Sequence, residues 1–230
     1  MVLRTLVTQS QFAVESLCLV EVQARRLEGL IASLPPEVPT YVVPRAVLDG
    51  VAGFPVHRGI LGIGRRGPEL APAELLAGLP KRALVVGLVG LANHDNVGGV
   101  FRNAAAFGAD AILLDRTSCD PLYRKAIRVS VGASLTVPFA RAGEAGSLVD
   151  ALEAAGFQVV ALSPAGSTPL GHFDWDRRTA ILLGAEGEGL PAEILARVRT
   201  VSIEMSGGFD SLNVATTSGI ALYEARRAAA

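Results

Sequence analysis

The chain is poor in the features that mark several protein classes. Its 230 residues include 2 cysteines, Cys18 and Cys119, far apart and without metal-ligand spacing. Neither a disulfide framework nor a zinc site is therefore written into it. It has no excess of charge of one sign. The 21 Lys+Arg and 22 Asp+Glu leave a formal net charge of −1, which excludes a global basic field as the means of drawing it onto nucleic acid. Its longest unbroken apolar run, residues 83–92, contains two glycines and is too short to cross a bilayer. The opening Met-Val-Leu-Arg-Thr-Leu-Val-Thr-Gln lacks the apolar region and cleavage site of a signal peptide. These absences lead to the expectation of a reduced, cytoplasmic protein with no membrane partner. Lysine is nearly missing as well: only Lys81 and Lys125 are present, so 19 of the 21 basic residues are arginine. The planar arginine fork suits phosphate oxygens better than an ammonium does, although a GC-rich genome produces the same bias. Apolar residues are plentiful. At 50% hydrophobic and 19% charged, the composition suits a packed core and not disorder.

Up to residue 63 the elements read as short and alternating. Residues 12–20 predict a strand that leads into a helix over 21–33. Pro35-Pro36 ends that helix, because proline lacks the amide donor and its ring clashes with the preceding turn. Residues 41–43 predict a short strand, 45–50 a short helix and 57–63 another strand. Turn formers crowd residues 64–80 and predict a linker. The expected organisation is a small domain over 1–63, a linker over 64–80 and a larger domain over 81–230. In the larger domain, apolar runs at 83–89, 111–114, 136–139, 157–162, 179–183 and 200–205 alternate with helix-like stretches at 100–107, 121–131, 145–155, 191–198 and 211–227. That rhythm predicts an α/β fold, a mostly parallel sheet with helices on both faces.

Gly62, Gly64 and Gly67 match G-x-G-x-x-G. A dinucleotide site needs those glycines to open a helix, with an acid about 20 residues on. Here Pro68 and the linker follow, which argues against a nucleotide-dependent oxidoreductase. His57, His94 and His172 have no ligand partners at useful spacing, so no metal is expected. Three segments of the larger domain each follow a predicted strand, the place where open parallel sheets bind ligands. In the first, Asn96 is predicted to cap a helix beginning near Gly98. Arg102, among Phe101, Ala104, Ala105 and Phe107, either snorkels to solvent or points at an anion. The second holds Gly184, Glu186, Gly187 and Gly189. It reads either as a backbone-exposing loop able to meet a purine edge or as an ordinary glycine-rich turn before a helix at Pro191. The third runs from Ile203 and Met205 through Gly207-Gly208 to Ser211, Leu212 and Asn213, with Ser211 as the predicted cap of a long helix. Small residues over 214–221 form a stripe that needs a partner surface. Arg116, Arg124, Lys125 and Arg128 gather after the second strand of this domain. They form either a solvated face or a phosphate-binding surface.

In order and spacing the three segments resemble the motifs of the SpoU/TrmH family of SPOUT-class RNA ribose 2′-O-methyltransferases. Asn96, Gly98 and Arg102 meet N-x-G-x-x-x-R. Gly184, Glu186, Gly187 and Gly189 meet G-x-E-G-x-G. Ile203, Met205, Ser211, Leu212 and Asn213 meet I-x-M followed by S-L-N. The resemblance covers residues 82–228, with His94 and Glu204 standing where the family usually has proline. It implies S-adenosylmethionine as cofactor, tRNA or rRNA as substrate, a homodimer, and a C-terminal trefoil knot that chain-topology rules would not predict. It also implies a catalytic set of Arg102, Asn96, Glu186, Ser211 and Asn213, and a cofactor set of Gly184, Glu186, Gly187, Ile203, Met205 and Leu212. Residues 1–63 look like the small RNA-binding domain similar to ribosomal protein L30e, shortened at its start. Arg102 would act either directly in deprotonation with the substrate phosphate, or as a cation that holds that phosphate and the developing alkoxide. The alternative is an RNA-binding protein that keeps the fold without catalysis. That reading predicts loss of Arg102 or of the G-x-E-G loop, and both are intact.

Overall fold

The structure is a computed structural model that describes residues 1–175, 177–207 and 211–228. Gly208 of the third segment lies outside the described residues. The chain divides into two compact units, Met1–Pro68 and Glu69–Ala230.

The first unit runs α1 (Val2–Thr8), β1 (Val14–Leu19), α2 (Glu21–Arg26), α3 (Glu28–Ile31), β2 (Thr40–Val42), α4 (Arg45–Ala52) and β3 (Ile60–Gly64). Its sheet has the order β2-β1-β3, with β2 parallel and β3 antiparallel to β1. The helix expected over 21–33 is divided at Leu27 (φ −110, ψ 14), although the Leu27 and Ile31 amides still donate to the Gln23 and Leu27 carbonyls. Helix α1 has no counterpart in the sequence reading. The Gly62–Gly67 pattern lies on β3 and just beyond it, with no helix opening at its glycines.

The second unit runs α5 (Pro72–Ala77), β4 (Ala83–Leu88), α6 (His94–Phe107), β5 (Ala111–Leu114), α7 (Arg124–Val129), β6 (Phe139–Arg141), α8 (Ala145–Ala154), β7 (Gln158–Leu162), β8 (Thr168–Pro169), β9 (Arg178–Leu183), α9 (Ala192–Arg197), β10 (Arg199–Ser202) and α10 (Val214–Ala228). Its seven-stranded sheet has the order β6-β5-β4-β9-β7-β10-β8, and every pairing is parallel. Alternate strand residues serve opposite faces, as the two-residue pleat requires. Val86, Leu88, Ile112, Leu114 and Ile181 meet Val97 and Phe101 of α6 and Leu222 of α10. Val85, Leu113 and Leu182 meet Leu76 of α5, Leu148 and Leu152 of α8, and Ile194 of α9. Each fully buried side chain of this size contributes roughly 1.5–3 kcal/mol. The α/β reading with helices on both faces describes this unit.

Several boundaries differ from expectation for local reasons. The stretch expected as a linker contains α5, which has Pro72 in its first turn and buries Leu75 and Leu76. The strand expected over 136–139 starts only at Phe139. Before it, the Thr136 hydroxyl and the Val137 amide both donate to the Ala133 carbonyl, so that stretch stays in a helical turn. Strand β10 ends at Ser202, and Ile203 and Met205 leave the sheet. Helix α7 starts at Arg124 rather than Pro121, because the Leu122 amide donates to the Asp120 carboxylate in a turn.

Candidate active site

Strands β4, β9, β7 and β10 are consecutive neighbours in the sheet, so the segments that follow them meet at one edge. There the segments after β9, β7 and β10 enclose a cavity of about 500 Å³, within the roughly 300–1,000 Å³ of small-molecule sites. Of the sequence-expected residues, Gly184, Glu186, Gly187, Ile203, Met205, Ser211 and Leu212 line it. Sequence reasoning missed the segment after β7, where Leu162, Ser163 and Pro164 complete the wall, and also Glu188 and Thr217. The available signal was the run Ser-Pro-Ala-Gly-Ser directly after an apolar strand.

The loop after β9 folds back on itself. Ala185 and Gly189 form an isolated bridge, and the Gly189 amide donates to the Ala185 carbonyl at 3.0 Å. Glycine is required at 184 because a Cβ there would lie 2.3 Å from the carbonyl carbon of Gly189. Gly187 and Gly189 adopt φ of +87° and +72°, and so expose backbone without side chains. Leu212, an apolar side chain that also lines the cavity, is 43% exposed. Glu186 and Glu188 make the wall acidic, which favours a cationic ligand.

One amide ties the three segments together. Asn213 Nδ2 donates to Asn96 Oδ1 at 2.9 Å and to Glu186 Oε1 at 3.0 Å. Its Oδ1 accepts the Ala215 amide at 2.9 Å and the Thr216 amide at 3.3 Å. Both donors and the acceptor of this side chain are in use. Asn213 is therefore the cap of α10, and Ser211, predicted for that role, lies two residues too early. Asn96 is likewise not a cap. Helix α6 starts at His94, capped by Asn93, whose Oδ1 accepts the Asp95 amide at 2.9 Å. Asn96 instead lies buried in the first turn, and its side-chain oxygen serves Asn213.

Arg102 is exposed, and among the described residues nothing hydrogen-bonds or ion-pairs with its guanidinium. It is not part of the cavity wall. It follows Gly98 by four residues and Gly99 by three, so it shares their face of α6. That face is closely approached: a Cβ at Gly98 would lie 2.8 Å from the Ala126 carbonyl oxygen of α7, and one at Gly99 2.6 Å from Ala215 Cβ of α10. Of the basic group, Arg116 pairs with Glu144 at 2.6 Å and Lys125 with Asp95 at 2.8 Å. Arg124 and Arg128 are exposed on α7. The small-residue stripe over 214–221 packs on α6, where Asn103 Nδ2 donates to the Ala215 carbonyl at 2.6 Å and to Ser218 Oγ at 2.9 Å. Among the described residues, no group of three His, Cys, Asp or Glu is placed to hold a metal ion, and no helix is long and apolar enough to cross a membrane.

Comparison with known proteins adds independent findings. An uncharacterized tRNA/rRNA methyltransferase of Mycobacterium bovis is 41% identical over 199 residues, which cover 82% of this chain and 66% of that protein. The chain thus spans 66% of the length of that curated relative. The crystal structure of an AdoMet-bound rRNA methyltransferase from Sinorhizobium meliloti is 27% identical with a TM-score of 0.78, over 94% of this chain and 81% of that one. An RNA 2′-O ribose methyltransferase structure is also 27% identical, with a TM-score of 0.77 over 95% of this chain and 82% of that one. The SpoU rRNA Methylase family matches residues 83–223, a span that takes in the whole seven-stranded sheet, the cavity and the Asn213 junction. By that match, which covers more than half of its length, the chain belongs to the SpoU rRNA methylase family.

Proposed function

We propose that this chain transfers a methyl group from S-adenosylmethionine to a ribose 2′-hydroxyl of tRNA or rRNA. The observation that carries the reading is the Asn213 amide, which joins all three motif segments beside a cavity of about 500 Å³. The cavity fits the cofactor in chemistry as well as size. Bare glycine backbone and the apolar Ile203, Met205 and Leu212 suit an adenine ring, and the Glu186 and Glu188 carboxylates suit a sulfonium and an ammonium. When bound, the cofactor supplies the electrophilic methyl that the protein itself cannot provide. Gly184 and Gly187 would accommodate it through the backbone, and Asn213 would hold Glu186 and Asn96 in register.

A neutral ribose hydroxyl is a poor nucleophile. The planar arginine fork matches phosphate oxygens, so Arg102 serves best as a fixed cation. Its fork would hold the neighbouring phosphate and stabilise charge developing on the 2′-oxygen. The absence of a competing carboxylate partner among the described residues supports that role. Calorimetry with S-adenosylhomocysteine beside a methyl-transfer assay on total RNA tests it. Arg102→Ala and Arg102→Lys should bind the cofactor product like wild type and fail to transfer. Wild-type turnover in Arg102→Ala would sink the assignment.

The same reading includes Arg124 and Arg128 on the RNA surface, together with Arg116 and Lys125. The exposed ion pairs of the latter two are worth at most about 1 kcal/mol, so phosphates can compete for them. It also includes a first unit that binds substrate RNA like ribosomal protein L30e, a knotted C-terminal segment, a cytoplasmic setting, and a homodimer built on the part of α10 that α6 leaves uncovered. Tyr223, 53% exposed on α10, supports the dimer.

A further inference from the structure

Tyr123 caps α7 in an extended conformation (φ −64, ψ 137), with its side chain 45% exposed. One side of its ring is backed by the His94 imidazole, with centroids 4.3 Å apart and planes at 44°. His94 opens α6. The next residue, Asp95, holds Lys125 of α7 at 2.8 Å. The first turns of α6 and α7 are therefore clasped twice, once through rings and once through charge. Between them Gly98 lets α7 come close. His94, Gly98 and Arg102 follow at successive four-residue steps along α6, with about 12 Å of rise from first to last. That distance is no more than about four nucleotides of stacked strand.

A large aromatic side chain that is half out of the core, yet fixed by a second ring, loses little entropy when it meets a flat partner. Arg124, Lys125 and Arg128 lie on the adjoining helix, where a phosphate backbone would run. Aromatic platforms flanked by cations recognise unpaired bases, because every base has a π-face that stacking inside a duplex covers. We propose that Tyr123, backed by His94, is the stacking platform for an unpaired nucleobase within about four nucleotides of the ribose held at Arg102, and so selects single-stranded RNA. This rests on the methyl-transfer reading above. His94 acts through Tyr123 and is a positioning residue.

The probes are a fluorescently labelled 12-nucleotide oligouridylate and an abasic ribose-phosphate oligomer of the same length, titrated with the full chain and read by anisotropy. Tyr123→Ala should weaken oligouridylate binding about 5- to 150-fold and leave the abasic oligomer unchanged. Tyr123→Leu, which keeps apolar bulk against His94 but has no ring, should do the same. Tyr123→Phe should stay within about twofold of wild type. Equal losses on both oligomers in the leucine variant, or no loss on oligouridylate, would overturn the platform. Wild-type protein that bound neither oligomer would overturn the platform, whereas failure to transfer methyl to total RNA would overturn the RNA reading itself.

Discussion

Asn213→Ala removes four hydrogen bonds with one substitution, and their separate magnitudes can be added from the structure. Loss of the α10 cap costs about 1 kcal/mol. Asn96 Oδ1 loses its donor in a residue only 5% exposed, and a buried unsatisfied acceptor costs about 1–3 kcal/mol. Glu186 is exposed and regains water, so its share is small. The total is about 2–4 kcal/mol, which for a domain of this size lowers Tm by roughly 4–16 °C. Asn213→Asp separates the parts. A carboxylate caps a helix as well as an amide does, but it turns an acceptor toward Asn96 Oδ1 and a negative charge toward Glu186. It should therefore keep the cap contribution and still lose the rest. Thermal melts and urea titrations of both variants, with S-adenosylhomocysteine calorimetry beside them, read the two effects. Cofactor affinity should fall in both, because the loop holding Glu186 is released. An Asn213→Ala protein within 0.5 kcal/mol of wild type would refute the reasoning, because a removed cap alone already costs about that much or more.

Gly184→Ala should reduce cofactor affinity at least tenfold with the far-UV spectrum unchanged, because its Cβ would stand 2.3 Å from the backbone of Gly189. Gly146→Ala in α8, where an added Cβ meets nothing within 4 Å, should instead stabilise the fold by about 0.4–1 kcal/mol; urea midpoints distinguish the two. Replacing both Arg124 and Arg128 by alanine should lower the slope of log K against log salt by about 1.4–1.8 for RNA binding, and an unchanged slope would remove them from the RNA surface. Burial pushes the Cys119 thiol up from its ordinary value, against smaller opposing effects from its backbone hydrogen bond and Arg141. In a Cys18→Ser background it should alkylate more slowly at pH 8 than the unfolded chain does. Because the folded state favours the neutral thiol, that contribution to stability holds below the unfolded pKa and is lost as pH rises through the folded one. Equal alkylation rates would contradict the shift.

The parts of the fold legible in the sequence were those whose signal is local. Residues 83–88, 111–114 and 180–183 are buried on both faces of a parallel sheet, and such strands read as apolar runs. The glycines at 184, 187 and 189 read as either a backbone-exposing loop or an ordinary turn, and the cavity wall contains them. Errors gathered where a distant residue decides. Asn93 and Asn96 are equally good caps in isolation. What assigns them is Asn213, 117 positions away from Asn96, which takes the Asn96 side chain inward and leaves Asn93 for the helix. Ser211 failed for the same reason, because Asn213 was already held at the junction and caps α10 from there. Strand 200–205 was overrun because Ile203 and Met205 are as apolar as a strand requires, yet they face a cavity. Helix α5 was hidden by the prolines and glycines around it, one of which, Pro72, is the helix's own first turn.

The central claim is chemical: the methyl group goes to a ribose oxygen. Label carried from methyl-labelled S-adenosylmethionine into total RNA by the purified protein can be located by alkaline hydrolysis. A 2′-O-methyl group removes the hydroxyl that attacks the neighbouring phosphate, so the strand survives at that nucleotide. The account predicts label in alkali-resistant dinucleotides. Label released entirely in mononucleotides would place the methyl on a base and contradict it.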